Sequence, residues 1–198
     1  MGRFPRHSAI NSILKRSLTH IGLPSVLEPV GLTKDRRRPD GLTLIPWYRG
    51  KNLVWDATVV DTFAESHYIV SAALPGSVAT YAETDKCWKY SDLLDNYYFQ
   101  PVAIETTGVY GKSTAPFFSC LAKTLVDILG VPRERQWLHQ CLSLAVVRGY
   151  TACLSSVNGH CLPNVCVFCE LYCLQYVFYA FRKASVQYCF ALLFSHPD

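Results

Sequence analysis

The sequence predicts a mixed α/β domain, a small central sheet flanked by helices, followed by an irregular or helical tail. Three observations lead there. Apolar residues recur at three- and four-residue steps in several stretches of helical length, and short β-branched runs lie between them. After Arg148-Gly149 the chain loses both its charge and its period.

The first helix covers residues 8–21. Ile10, Ile13, Leu14, Leu18 and Ile21 share one face, Ser8 suits an N-cap, and Gly22 before Leu23-Pro24 ends it. Residues 25–40 read as irregular. Residues 42–45 and 53–60 read as strands, joined by a loop over residues 46–50. Both carry apolar side chains on successive positions, as in a sheet covered on both faces. Leu74-Pro75-Gly76 leads into a helix over about residues 77–96, with Ala79, Ala82, Leu93 and Leu94 on its apolar side. Residues 98–106 form a third strand, ended by Gly108. Helices follow over residues 114–129 and 132–147, Pro132 suiting a first turn. Residues 1–150 therefore make one domain. Residues 151–198 look appended, apolar and rich in cysteine, with six of the nine cysteines of the chain.

A chain of 198 residues has room for one ordinary core, and a hydrophobic fraction of 50% excludes a disordered segment. The net charge of +4 is unevenly spread. Between residues 3 and 51, ten Lys and Arg stand against Glu28, Asp35 and Asp40 alone. Such an imbalance suits a polyanion, because each cation that neutralises a phosphate releases condensed counterions. Arg36, Arg37, Arg38 and Lys51 are the candidate phosphate contacts.

The amphipathic, basic N-terminus lacks the apolar run of a secretory signal, so an intracellular chain with free thiols is expected. Cys166 and Cys169 have the spacing of a zinc turn, yet no second pair follows and no zinc is expected. Residues 162–181 are long enough to span a bilayer, but Asn164, Glu170 and Gln175 argue against it. The stretch from Gly108 to Ser113 lacks the glycine spacing of a phosphate loop and reads as a strand-to-helix turn. No Ser-His-Asp or Cys-His motif is present.

The sharpest constellation is Arg38-Pro39-Asp40 followed, after fifteen residues, by Asp56 inside an apolar strand. A hairpin looping over residues 46–50 pairs Thr43 with Leu53. It then brings Asp40 opposite Asp56, with Cβ atoms about 5 Å apart. Two carboxylates so close repel unless a cation lies between them. Mg²⁺ or Mn²⁺, held by one or two carboxylates and completed by water and phosphate oxygens, suits phosphodiester hydrolysis. A structural ion pair with a neighbouring arginine is the alternative for Asp56.

These residues resemble the restriction-like (PD-(D/E)XK-type) endonuclease region of non-LTR retrotransposons, which carries Lys/Arg-Pro-Asp, a gap of a dozen or so residues, and an Asp in an apolar strand. Further strings are similar to C-terminal stretches of animal retroelement reading frames: SILKRSLTHIG from Ser12, RRPDGLTLIPW from Arg37, LVWDATVVDT from Leu53, PVAIETTGVYG from Pro101, and RERQWLHQ running into LSLAVVRG. The resemblance covers roughly residues 10–150.

It implies a restriction-endonuclease-like core that nicks target DNA to prime reverse transcription, with Mg²⁺ or Mn²⁺ at Asp40 and Asp56. Its partners would be DNA and element RNA, with no small-molecule cofactor, in the nucleus. The usual signature places a Lys two residues after the second acid, where this chain has Thr58. The following helix offers Lys86 and Lys89 instead, and Lys89 is the favoured one. Glu28 is the candidate for a further metal-site acid. Glu105 either faces the site or pairs with a Lys, and Asp61 falls on the opposite strand face from Asp56. The zinc knuckle and polymerase that the family places upstream are not in this sequence, which keeps open an inactive nucleic-acid-binding remnant. A protein anchored in a membrane by its tail is a third reading.

Overall fold

The computed structural model describes residues 3–33 and 35–157. The elements run α1 (Arg3–His20), β1 (Ser25–Leu27), β2 (Gly41–Tyr48), β3 (Lys51–Val60), α2 (Glu65–Ala73), α3 (Ser77–Lys89), β4 (Tyr98–Glu105), α4 (Thr114–Leu129) and α5 (Glu134–Val157). The four strands form one mixed sheet in the order β1-β2-β3-β4. β1, β2 and β3 are an antiparallel meander, and β4 joins β3 in parallel after the α2–α3 crossover. The mixed α/β class expected from the sequence is the observed one.

β3 is the axis of this arrangement because its side chains are buried on both faces. Leu53, Trp55 and Ala57 point into the larger core, with Val102 and Ile104 of β4 and the apolar sides of α1, α4 and α5. Val54 points the other way, with Phe99, Tyr90 and Leu93, under α3. Leu14 and Leu18 of α1 are fully buried. Each contributes roughly 1.5–3 kcal/mol by leaving water.

The hairpin differs from its expected form. Its turn is Arg49-Gly50, two residues with φ of 49° and 74°, the left-handed pair that matches strand twist. The surplus residues are absorbed by two register shifts flanking Pro46, which has no amide to give to the ladder. By Leu42↔Val54 and Gly41↔Trp55 the register is again the expected one.

Other boundaries moved for local reasons. β1 has three residues and no pattern to betray it. α2 was missed because it is short and largely exposed. α3 stops at Lys89 and gives way to a 3-10 turn, Ser91–Leu93, instead of running on to residue 96. α1 begins at Arg3, ahead of the expected cap at Ser8. α5 runs past residue 150 to Val157, and its Gly149 lies against the stem of Arg6, which an added Cβ would meet at 2.4 Å. Among the described residues no helix is long and apolar enough to cross a membrane. The cysteine cluster of residues 161–173 and the apolar run 162–181 lie outside the described residues.

Gly41 is dictated by packing. Its φ is ordinary, but a Cβ there would stand 2.0 Å from Cζ2 of Trp55. The indole is fully buried and cannot retreat. Gly41→Ala is therefore expected to lower unfolding free energy by about 3 kcal/mol, measured as a shift in urea midpoint at constant slope. An unchanged midpoint would mean that the ring has room to move.

Candidate active site

β2 begins at Gly41, opposite Trp55, whereas β3 continues to Val60 paired only with β4. From Asp56 onward the other edge of β3 has no strand beside it. Unpaired buried amides are costly, so this edge needs acceptors from elsewhere. Asp40 provides one: its Oδ2 accepts the Ala57 N–H at 2.6 Å, while its own N–H donates to the Trp55 carbonyl at 3.0 Å. The carboxylate thus replaces the missing strand for one position, and Asp40 is held, buried, next to Asp56.

Asp40 has a second partner that no sequence motif announces. His7, from α1, brings Nε2 to 2.9 Å from the same Oδ2. The imidazole is half-exposed, and its pKa is raised, chiefly by the hydrogen bond to Asp40 and against the effect of burial. Asn11, one turn on, stands behind it. Its Oδ1 accepts the Trp55 indole N–H at 3.1 Å, and its amide nitrogen approaches the His7 ring at 3.4 Å.

Asp56 projects from the opposite side of β3 from Trp55, toward α3. Lys86 reaches down from α3 and pairs with its Oδ2. The Tyr90 hydroxyl lies 3.3 Å from Oδ1 and donates to the Arg38 carbonyl at 3.0 Å. Burial pushes the Tyr90 pKa up, with help from the Asp56 charge, so the phenol stays a donor. The Tyr90 ring is flanked by two cations, Lys89 at 4.7 Å and Arg37 at 5.6 Å from its centroid.

Of the residues singled out from the sequence, Asp40, Asp56 and Lys86 come together, and the exposed Arg36 and Arg38 lie on the chain leading into Asp40. Lys89 does not join them. It is exposed, one turn further along α3, with its ammonium over the Tyr90 ring, whereas Lys86 is the lysine paired with Asp56.

Glu28 does not join either. Its N–H donates to the Asp40 carbonyl at 2.9 Å, but its side chain is exposed, and among the described residues no group of three or more His, Cys, Asp or Glu is placed to hold a metal. Lys51 is at the turn end of β3, five residues or about 16 Å along the strand from Asp56, and bonds the Leu94 carbonyl. Arg37 is engaged internally with Asp92 at 3.5 Å and with Asp35, whose carboxyl it holds down at about 2. Glu105 is buried at the far end of β4. It accepts from the Ala79 N–H near the start of α3 at 3.5 Å and from Thr107 Oγ1 at 3.3 Å.

The segment from Gly108 to Ser113 is a turn into α4, as expected. The anion-binding end of that helix is filled from within. The Glu83 carboxylate accepts the Ser113 N–H at 2.9 Å, the Thr114 N–H at 2.8 Å and the Thr114 hydroxyl at 2.6 Å. Gly111 lies so close that an added Cβ would meet Glu83 Oε1 at 2.3 Å. His7 and Tyr90 are the site residues that sequence reasoning missed. The only available signal for the first was Asn11, a polar residue on the apolar side of α1.

The pair Asp40 and Asp56 offers hard carboxylate oxygens. Among the described residues, both hydrogen bonds to the Asp40 carboxylate fall on Oδ2 and none on Oδ1. A magnesium-sized ion needs only one or two such oxygens beside water and phosphate, so the donor set fits one. No protein-family model matches the chain, and a search of curated proteins found no match.

Lys86 and Asp56 are both largely buried, so removing one partner strands the other. Lys86→Met is expected to cost about 3 kcal/mol in thermal or urea unfolding. In an Asp56→Asn background the same change should cost at least about 1 kcal/mol less. Equal costs in both backgrounds would show that the two side chains are not coupled.

Proposed function

We propose that this protein is a divalent-cation-dependent DNA endonuclease, akin to the restriction-like nucleases of non-LTR retrotransposons, that nicks target DNA where reverse transcription is primed. What carries the reading is the convergence of Asp40, Asp56 and Lys86 at the open end of the β2–β3 hairpin. A lysine supplied by α3 replaces the one that Thr58 cannot be.

Asp40, through its free Oδ1, and Asp56 would hold the Mg²⁺ or Mn²⁺ ion. The bound ion supplies a lowered water pKa and charge neutralisation at the scissile phosphate. Lys86 supports the site in two ways. Its ammonium offsets the paired negative charge before the ion arrives, and its remaining protons can orient the attacking water. Tyr90 fixes the second carboxylate and the Arg38 carbonyl together. Arg36 and Arg38, exposed beside Asp40, are suited to the flanking phosphates of DNA or of element RNA. Action on chromosomal DNA would put the protein in the nucleus.

A second reading, a silent nucleic-acid-binding remnant of the same ancestry, draws on one observation. Each carboxylate already has a cationic or polar partner, Lys86 for Asp56 and His7 for Asp40.

A supercoiled-plasmid nicking assay in Mg²⁺ or Mn²⁺ separates the two. Cleavage by the wild-type protein should fall about 100-fold or more in Asp56→Asn, while salt-sensitive DNA binding persists in both. Equal nicking by the two proteins removes the catalytic assignment. DNA binding with no divalent-dependent nicking in either establishes the silent form.

A further inference from the structure

We propose that His7 is a positioning residue for the candidate metal centre: it pins one oxygen of Asp40 so that the other is presented to the ion. This rests on the endonuclease reading above and goes beyond it, since no feature of the Asp-Asp-Lys constellation calls for a group from α1.

The argument begins at the Trp55 indole, which can only donate. Its N–H points at Asn11 Oδ1 at 3.1 Å, and that fixes which end of the Asn11 amide is oxygen. The NH₂ end then faces the His7 ring, 3.4 Å from Nδ1 and 3.5 Å from Nε2. At Nε2 the direction is set by the partner: an ionised carboxylate only accepts, so the contact with Asp40 Oδ2 at 2.9 Å is a donation from Nε2–H. Asn11, itself held by the Trp55 indole, backs the ring from the core side.

At Asp40 the consequence is asymmetric. Among the described residues, Oδ2 receives two donors, the His7 Nε2–H and the Ala57 N–H at 2.6 Å, while Oδ1 receives none. A backbone donor alone leaves a carboxylate free to swing about its Cβ–Cγ bond. Two donors converging on one oxygen from α1 and from β3 remove that freedom and present Oδ1 as a single-oxygen ligand. Outer partners of metal-binding carboxylates typically account for 10–100-fold in metal affinity. His7 is also half-exposed, so its removal costs the core little.

The test uses Mn²⁺ alone, titrated into the full-length protein and followed by electron paramagnetic resonance at fixed pH, with DNA absent. His7→Ala and His7→Asn, whose shorter amide does not reach Asp40, should each raise the Mn²⁺ Kd about 10-fold. His7→Gln, which places an amide N–H close to the position of Nε2, should stay within about 3-fold of wild type. Urea unfolding of all three should remain near wild type.

Unchanged Mn²⁺ affinity in His7→Ala and His7→Asn overturns the positioning role. So does loss of affinity in His7→Gln equal to that in His7→Asn, because His7 would then be a structural staple only. If wild type binds no Mn²⁺, or binds it equally well after Asp40→Asn, the metal-centre reading fails first and takes this inference with it.

Discussion

One hydrogen bond, from the Ala57 amide to the Asp40 carboxylate, makes the rest of the site possible. β3 is longer than the strand that flanks it, and a sheet edge buried beneath two helices cannot leave its amides bare. The chain meets this need with an acid. A backbone acceptor would have satisfied Ala57 equally well and left no charge behind. Using a side chain instead fixes a carboxylate at the place where the hairpin opens, next to a second one that β3 itself carries. The basic run of residues 36–38 then follows from connectivity, since it is the chain that delivers Asp40 to that position.

Buried carboxylates recur on the α3 side of the sheet, and each is resolved differently. Asp56 takes an ammonium. Glu83 takes the amides and hydroxyl at the start of α4, and Glu105 takes the start of α3 with a threonine hydroxyl. The latter two are stabilised by helix ends, and Glu83 also by the close backbone of Gly111. Of these three, Asp56 is the one set beside Asp40 at the opening of the hairpin. This contrast separates a candidate reactive centre from acids that hold helices in place, although all are similarly buried.

Much of the frame was legible because it rests on periodicity. The apolar stripe of α1, the doubly buried run of β3 and the limits of α4 all follow from side-chain spacing. The register at the open end of the hairpin, Leu42 with Val54 and Gly41 with Trp55, was legible despite an incorrect loop, because the shifts around Pro46 compensate before the strands reach Gly41. What could not be read depends on docking. Whether Lys86 or Lys89 reaches Asp56 is a matter of how α3 is rotated on the sheet, and no local pattern encodes that rotation. His7 lies outside any motif, because its partner is 33 residues away and the asparagine beside it reads as an imperfection in an apolar face. α2 was illegible for a simpler reason. It buries too little to need a strong pattern.

The close contact of Gly149 with Arg6 has a temporal meaning. α1 carries His7 and one wall of the main core, yet α5, the last described element to be synthesised, closes its flank through Leu138, Leu142 and Val146. A nascent chain that has emerged only as far as α4 has both aspartates in hand but lacks the helix that secures α1 over them. The contact of His7 with Asp40 therefore rests on a helix that the chain supplies only after both aspartates.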